Sequence, residues 1–154
     1  MSFFHCFLML SALAPGAAAR ETIEFIDDPL KVVAKNIAGK KAVLVDVRSV
    51  EEWNEGHVDG AIFLPVTSLR KHSLDPKKLA KTLPKNKKTI LYTHCVVGMR
   101  AKAAGIILKK QGYTVRVLKP GYEELIKAGF KKSDKKHDPE AAAKDEDSRQ
   151  RNAG

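Results

Sequence analysis

Short apolar runs alternate with amphipathic segments through the middle of this chain. Apolar, β-branched runs such as AVLVDV are typical of strands buried on both faces, and they predict strands over residues 42–47, 60–64, 89–93 and 114–118. Apolar positions at helical spacing, with capping and stop residues at their ends, predict helices over residues 27–37, 49–55, 100–111 and 122–128, and two shorter pieces within 66–88. Helices that alternate with buried strands favour an α/β domain with a central, mostly parallel sheet flanked by helices on both faces.

The two ends of the chain differ from this middle part. Residues 1–19 are apolar from Phe3 to Leu13 and end in three alanines, the small-residue pattern of a signal-peptidase site. We therefore expect an export signal cleaved after about Ala19 and a periplasmic or secreted protein; a cytoplasmic protein is the alternative if the leader is not a signal. Residues 131–154 lack aromatic and large aliphatic side chains, which predicts a disordered charged tail. The folded domain is then expected over residues 20–130.

Composition narrows the classes of protein. A chain of 154 residues with 44% hydrophobic and 30% charged residues is long enough for one globular domain and too short for two full ones. No apolar run approaches the roughly 20 residues that span a bilayer. The formal net charge of +10 suits anionic partners. However, the lysines are scattered over several predicted helices and turns without interleaved aromatic residues, so we expect a solvated basic face and no nucleic-acid partner.

Cys95 is the candidate nucleophile. Cleavage of the leader would remove Cys6, the other cysteine of the chain, so Cys95 would have no partner for an internal disulfide. It follows a predicted strand and opens a loop that leads into a helix, where backbone N–H groups stabilise an anion such as a thiolate. The remaining residues of this candidate binding loop are Val96, Val97, Gly98, Met99 and Arg100. The alternative is that Cys95 is a small buried hydrophobe.

Three segments, taken in this order, resemble one known family. The segment VLVDVRSVEEWNEGHVDGAIFLP (43–65) is similar to the Asp-Val-Arg, Glu-aromatic, Gly-His and Gly-Ala signature of the rhodanese-homology domains. YTHCVVGMRA is similar to the active-site loop of that family, and GYTVRVLKPGYEEL to its closing strand and helix. The chain most resembles the short, single-domain sulfurtransferases of the family, which implies a single rhodanese-like α/β domain.

The resemblance implies a chemistry and a role for each matching residue. Cys95 would take sulfane sulfur from a small-molecule donor such as thiosulfate, hold it as a persulfide, and pass it to a thiophilic acceptor, which is cyanide in the usual assay or a thiol. Arg100 would help to bind the oxyanion of the donor and shape the loop. Asp46 and Arg48 would support the strand and the loop, and His57 would stabilise a turn. A protein acceptor is not implied by the sequence, and no cofactor other than the persulfide and no metal is expected.

Two other functions stay open. A non-catalytic rhodanese-like binding or regulatory module is the first, although such modules usually lack the cysteine. A cysteine-dependent phosphatase or arsenate reductase is the second, because His94-Cys95 followed by Arg100 is similar to the phosphatase loop. That loop has five residues between cysteine and arginine, whereas CVVGMR has four. His94 itself is interpreted as an ordinary histidine at a strand end, with an influence on Cys95 as the alternative.

Overall fold

The computed structural model describes residues 22–72 and 76–137. In chain order its elements are α1 (Leu30–Ala38), β1 (Ala42–Asp46), α2 (Val50–Glu55), β2 (His57–Val58), β3 (Ile62–Phe63), α3 (Val66–His72), α4 (Pro76–Thr82), β4 (Ile90–His94), α5 (Met99–Lys110), β5 (Thr114–Val117), α6 (Tyr122–Lys127) and β6 (Lys132–Ser133). The four strands and six helices that the sequence predicts are all present, with ends that differ by a few residues. The predicted export signal, residues 1–19, lies outside the described residues.

Strands β3, β1, β4 and β5 form a parallel sheet in that order. Ala42 of β1 is paired with Ile90 of β4, which is paired in turn with Thr114 of β5, so the strands begin nearly level with one another. Each parallel neighbour is reached by a crossover that contains a helix, as the chain direction requires. The predicted fold class, an α/β domain with a central parallel sheet, is confirmed.

Helices cover both faces of the sheet. Leu44 and Val45 are neighbours on β1, and their side chains enter different cores because successive side chains of a strand point to opposite faces. One core contains Val45, Leu91 and Val117 with apolar residues of α3, α4 and α5. The other contains Leu44 and Tyr92 with residues of α1 and α6. A strand buried on both faces accounts for the uninterrupted apolar run in its sequence.

The prediction of a disordered tail is wrong for residues 131–137. β6 pairs with β2 in a small antiparallel sheet that the sequence pattern does not predict. Further along, the backbone N–H of His137 donates to Asn54 Oδ1 at 2.8 Å, and its ring contacts that of Phe63 at a centroid distance of 4.8 Å. Backbone pairing and local contacts hold these residues, and burial of large apolar side chains does not. Composition alone therefore does not indicate that they are ordered. Residues 138–154 lie outside the described part.

An N-terminal segment ahead of α1 also belongs to the domain. Phe25 forms a parallel bridge with Val117 of β5. Asp28 accepts hydrogen bonds from the Tyr92 hydroxyl at 3.1 Å and from Arg116 at 2.7 Å. The segment therefore extends the sheet beyond β5. Among the residues that the structure describes, no helix has the length and apolar character needed to cross a membrane.

Candidate active site

The carboxyl ends of β1 and β4 meet at one edge of the sheet, where open α/β sheets generally bind their ligands. Cys95 directly follows β4, and Asp46 and Arg48 lie at the end of β1. The turn that contains Gly121 joins them from the segment between β5 and α6. The parallel sheet thus brings together, at one edge, parts of the chain that are far apart in sequence.

The sulfur of Cys95 is almost completely buried, with 1% of the residue exposed. Its Sγ atom accepts a hydrogen bond from the Gly98 N–H at 3.1 Å, so the loop folds back over the sulfur. Helix α5 begins at Met99, and its first intrahelical bond runs from the Lys102 N–H to the Gly98 carbonyl at 2.9 Å. The N–H groups of the preceding turn have no partner within the helix. This arrangement favours negative charge on a sulfur held in the loop.

Two close contacts fix the shape of the loop. Gly98 has a φ angle of 84°, in the left-handed region that favours glycine, and a β-carbon there would overlap the ring of Phe25. On another side of the loop, a β-carbon at Gly121 would overlap the carbonyl oxygen of Val96. Backbone atoms cannot move aside as a flexible side chain can, so close packing at residue 121 requires glycine, whereas at residue 98 the positive φ favours it. The loop is held between the N-terminal segment and the turn before α6.

Arg100, the last residue of the loop, is bound to Glu52 of α2 by two parallel hydrogen bonds. Nη1 donates to Oε2 at 2.5 Å and Nη2 donates to Oε1 at 2.8 Å. The hydrogen bonds from Arg100 lower the pKa of Glu52 to about 2. The pKa of Arg100 is raised, chiefly by Glu52 and further by the Cys95 side chain beside it. Arg100 therefore links the end of the loop to α2 through this ion pair. The oxyanion of a donor would have to compete with Glu52 for the Arg100 guanidinium.

Asp46 and Arg48 form a buried ion pair that supports the edge of the sheet. Arg48 Nη2 lies 2.7 Å from Asp46 Oδ2, and the same nitrogen donates to the Gly56 carbonyl at 2.8 Å. The guanidinium carbon also lies 4.6 Å from the centre of the Tyr122 ring. The pair thus joins β1, the turn after α2 and the start of α6.

His57 and His94 are both buried but have different surroundings. The His57 ring stacks on Trp53 at a centroid distance of 3.5 Å, and its Nδ1 donates to the Trp53 carbonyl at 3.2 Å, which fits a turn-stabilising residue. Within the described residues, neither ring nitrogen of His94 has a hydrogen-bond partner, and its Nε2 lies 3.6 Å from Asp46 Oδ2. Burial lowers the pKa of His94 to about 4, against the opposing charge of Asp46. His94, which directly precedes Cys95 in the chain, is therefore neutral at pH 7.

The rim of the loop is apolar and exposed. Val96, Val97 and Met99 are 50%, 69% and 67% exposed, which is unusual for large apolar side chains. Next to Val96 lies an open cleft of about 400 Å³ whose lining includes carboxylates and two cations, Arg48 and Lys132. The four carboxylates belong to Glu52, Glu55, Glu123 and Glu124. An anionic donor would thus meet an apolar rim and an acidic cleft near the loop, rather than a cationic funnel.

The sequence pattern singles out Cys95 and its loop as candidates, but it does not indicate the contacts that hold the loop. Glu52 forms a capping box with Ser49, and nothing in the sequence indicated that it is also the partner of Arg100. Phe25 and Gly121 carried no signal, since both act through contacts with residues far away in sequence. Among residues 22–72 and 76–137, no group of three or more His, Cys, Asp or Glu side chains could hold a metal ion.

Comparison with known proteins bears directly on this site. Residues 30–128 match the family model "Rhodanese-like domain". A curated relative, the probable adenylyltransferase/sulfurtransferase MoeZ of Mycobacterium tuberculosis, is 35% identical over 77 residues, which are 50% of this chain and 18% of that protein. The chain spans less than a quarter of the length of the curated relatives it matches.

Solved structures give the same result for the fold. The human single-domain sulfurtransferase TSTD1 is 26% identical, with a TM-score of 0.52 over 64% of this chain and 92% of that one. A rhodanese-related protein from Thermoplasma volcanium is 23% identical, with a TM-score of 0.55 over 69% of this chain and 95% of that one. The match of the family model over most of the described domain, with Cys95 at the predicted place in the loop, shows that this chain belongs to the rhodanese-like domain family.

Proposed function

We propose that this protein is a sulfurtransferase that carries sulfane sulfur as a persulfide on Cys95. The observation that carries the proposal is the loop itself. A cysteine sulfur lies inside it, accepts the Gly98 N–H at 3.1 Å and sits at the N-terminus of α5. The same chemistry is supported by membership of the rhodanese-like family. It is also supported by the names of two similar proteins, MoeZ and TSTD1, which both include the word sulfurtransferase.

The proposed reaction has two steps. The Cys95 thiolate attacks the outer sulfur of thiosulfate, the S–S bond breaks, and sulfite leaves with the bonding electron pair. The outer sulfur remains on Cys95 as a persulfide whose terminal atom carries negative charge. In the second step cyanide attacks this terminal sulfur, thiocyanate leaves, and the Cys95 thiolate is restored. Covalent catalysis of this kind divides one transfer into two easier displacements.

The chain supplies the groups that these steps need. The Gly98 N–H already points at the Cys95 sulfur, and a donor held in place in this way stabilises negative charge there without rearrangement. Arg100 and Glu52 keep the loop in place, and the buried Asp46–Arg48 pair supports the strand behind it. The acidic cleft and apolar rim favour an uncharged or extended donor, such as an organic polysulfide, over thiosulfate. Thiosulfate is therefore one donor to be tested, and a thiol is the second class of acceptor beside cyanide.

The persulfide is tested by intact mass. The full chain is incubated with thiosulfate or with a polysulfide, freed of excess donor, and weighed before and after addition of cyanide. We expect a gain of one sulfur atom, about 32 Da, that cyanide discharges as thiocyanate. Cys95→Ser abolishes the gain, whereas Cys6→Ser, a matched change at the other cysteine, retains it.

Two outcomes would overturn the proposal. If neither donor adds a sulfur to Cys95, the loop is present without transfer chemistry, and a binding module becomes the better interpretation. If the chain hydrolyses an aryl phosphate at a rate comparable to sulfur transfer, the cysteine-dependent phosphatase or arsenate reductase takes precedence. Four residues separate Cys95 from Arg100, whereas the phosphatase loop has five, so the spacing does not favour phosphatase activity.

We also propose that residues 1–19 direct export and are removed. The apolar run and the alanine site support this. When the full chain is expressed in a bacterium, we expect periplasmic material whose mass corresponds to a chain that begins at Arg20. Uncleaved protein confined to the cytoplasm would overturn this proposal and favour a cytoplasmic protein.

A further inference from the structure

The edge of the sheet opposite the candidate active site is strongly basic. In a parallel sheet the amino ends of all strands lie at one edge, and β1, β4 and β5 begin level with one another. The segments that lead into these strands are rich in lysine, as is the end of α5. We call this surface the lysine edge, and it consists of Lys40, Lys41, Lys85, Lys87, Lys88, Lys109 and Lys110.

Backbone hydrogen bonds hold the parts of the lysine edge together. The Lys41 carbonyl accepts from the Ile90 N–H at 3.1 Å, which joins the start of β1 to the start of β4. The Lys87 carbonyl accepts from the Thr114 N–H at 3.0 Å, which joins the segment before β4 to β5. All seven lysines are exposed. Residues scattered over about 70 positions of the sequence therefore form one continuous surface.

The lysine edge draws on three segments that lack acidic residues. The segments 35–42, 83–90 and 109–114 contain no Asp and no Glu. Lys109 and Lys110 stabilise the carboxyl end of α5, and Lys87 Nζ donates to the Gln111 carbonyl at 2.6 Å. Within the described residues, Lys40, Lys41, Lys85 and Lys88 form no ion pair with a carboxylate. These four lysines therefore present their charge to solvent.

From this arrangement we infer that the lysine edge docks the protein on an anionic membrane surface. The three segments contain lysine and no arginine, whereas nucleic-acid recognition favours the planar arginine fork. Their one aromatic residue, Tyr113, is buried, so no ring is available to stack on a base. Exposed lysines without apolar anchors suit the diffuse negative potential of a bilayer.

Docking in this way leaves the candidate active site accessible. Cys95 follows the carboxyl end of β4, so it lies at the edge of the sheet away from the membrane. The exposed apolar rim at Val96, Val97 and Met99 would face solvent. The inference is independent of the proposed function, because it concerns a different surface and a different ligand.

Vesicle sedimentation tests the inference. The full chain is mixed with vesicles of phosphatidylcholine alone or with about 30% phosphatidylglycerol. We expect binding to the anionic vesicles only, and its loss at about 0.5 M salt, where charges are screened within a few ångströms. A variant with four replacements should bind the anionic vesicles at least about tenfold more weakly. The replacements are Lys40→Gln, Lys41→Gln, Lys85→Gln and Lys88→Gln. Transfer of sulfur in solution should be unchanged.

The matched control removes the same charge outside the lysine edge and should retain binding to the anionic vesicles. Its replacements are Lys31→Gln, Lys127→Gln, Lys131→Gln and Lys136→Gln. Equal binding to neutral vesicles would assign the effect to another part of the chain and overturn the inference. Equal loss in the two variants, or no binding to anionic vesicles, would do the same. Tighter binding to a DNA duplex than to the anionic vesicles, with the same dependence on the four lysines, would replace the membrane with nucleic acid.

Discussion

The α-carbon of Gly121 lies so close to the carbonyl oxygen of Val96 that no side chain can be placed between them. Val96 is the first residue after Cys95, and its carbonyl cannot move without moving the loop. The next close group is the Cys95 carbonyl, 3.2 Å from the position of a β-carbon at residue 121. Gly121 therefore limits the position of the loop from outside it.

Gly121→Ala is expected to displace the loop and slow sulfur loading by up to about a hundredfold, since small displacements at a reacting atom have such effects. The measurement is the rate of persulfide formation by intact mass. Gly39→Ala, at a position with φ of −79° and a nearest contact of 3.3 Å, is the matched control. An unchanged loading rate in the folded Gly121 variant would show that the loop tolerates the shift.

Phe25 packs against Gly98 on another side of the loop, and Lys102 Nζ lies 4.2 Å from the centre of its ring. Phe25→Ala is expected to lower the free energy of unfolding by about 1–2 kcal/mol, because the ring is only partly buried, and also to slow sulfur loading. Phe130→Ala removes a similar ring from the core on the other face and should lower stability alone. If both variants load sulfur equally fast, Phe25 has no role in positioning the loop.

The pair of Arg100 and Glu52 is best measured by a double-mutant cycle of Arg100→Gln and Glu52→Gln. The pair is partly exposed, so solvent screening limits the expected coupling to about 1 kcal/mol in the free energy of unfolding. The pKa of Glu52 is lowered from its ordinary value of 4.5 to about 2. The carboxylate therefore contributes its full stabilisation above pH 4.5 and loses it as the pH falls from 4.5 to 2. The coupling should therefore persist at pH 4. Glu55→Gln in place of Glu52→Gln should show no coupling.

His94 is expected to make the domain sensitive to acid. Its pKa is lowered to about 4 by burial, from an ordinary value of 6.5, so between these values the unfolded chain binds a proton that the folded chain does not. The free energy of unfolding should thus fall by up to about 3 kcal/mol as pH falls from 6.5 to 4. Below pH 4 this group should contribute no further change.

Urea unfolding of the wild type and His94→Phe at several pH values checks this. The variant should be at least as stable at pH 7, because it removes two ring nitrogens that have no hydrogen-bond partner among the described residues. Its stability should also depend less on pH than that of the wild type. Parallel pH profiles for the two proteins would contradict a buried, neutral His94.

The sequence by itself determined the α/β class, the order of the larger elements and the loop from Cys95 to Arg100. These features are local: a β-branched run, helical spacing and the CVVGMR segment each lie within a few consecutive residues. The short pair of β2 and β6 escaped prediction because two-residue strands carry no periodic pattern. Composition also misplaced the end of the domain, since residues 131–137 are held by partners elsewhere in the chain.

Tertiary structure alone decided which distant residues act together. Arg100 meets Glu52 across 48 positions of sequence, and Gly121 meets Val96 through the turn that follows β5. The parallel sheet is the physical reason, because it aligns all carboxyl ends at one edge and all amino ends at the other. The first edge holds the candidate active site. The second gathers scattered lysines, which in the sequence resemble an ordinary solvated face, into one continuous basic surface.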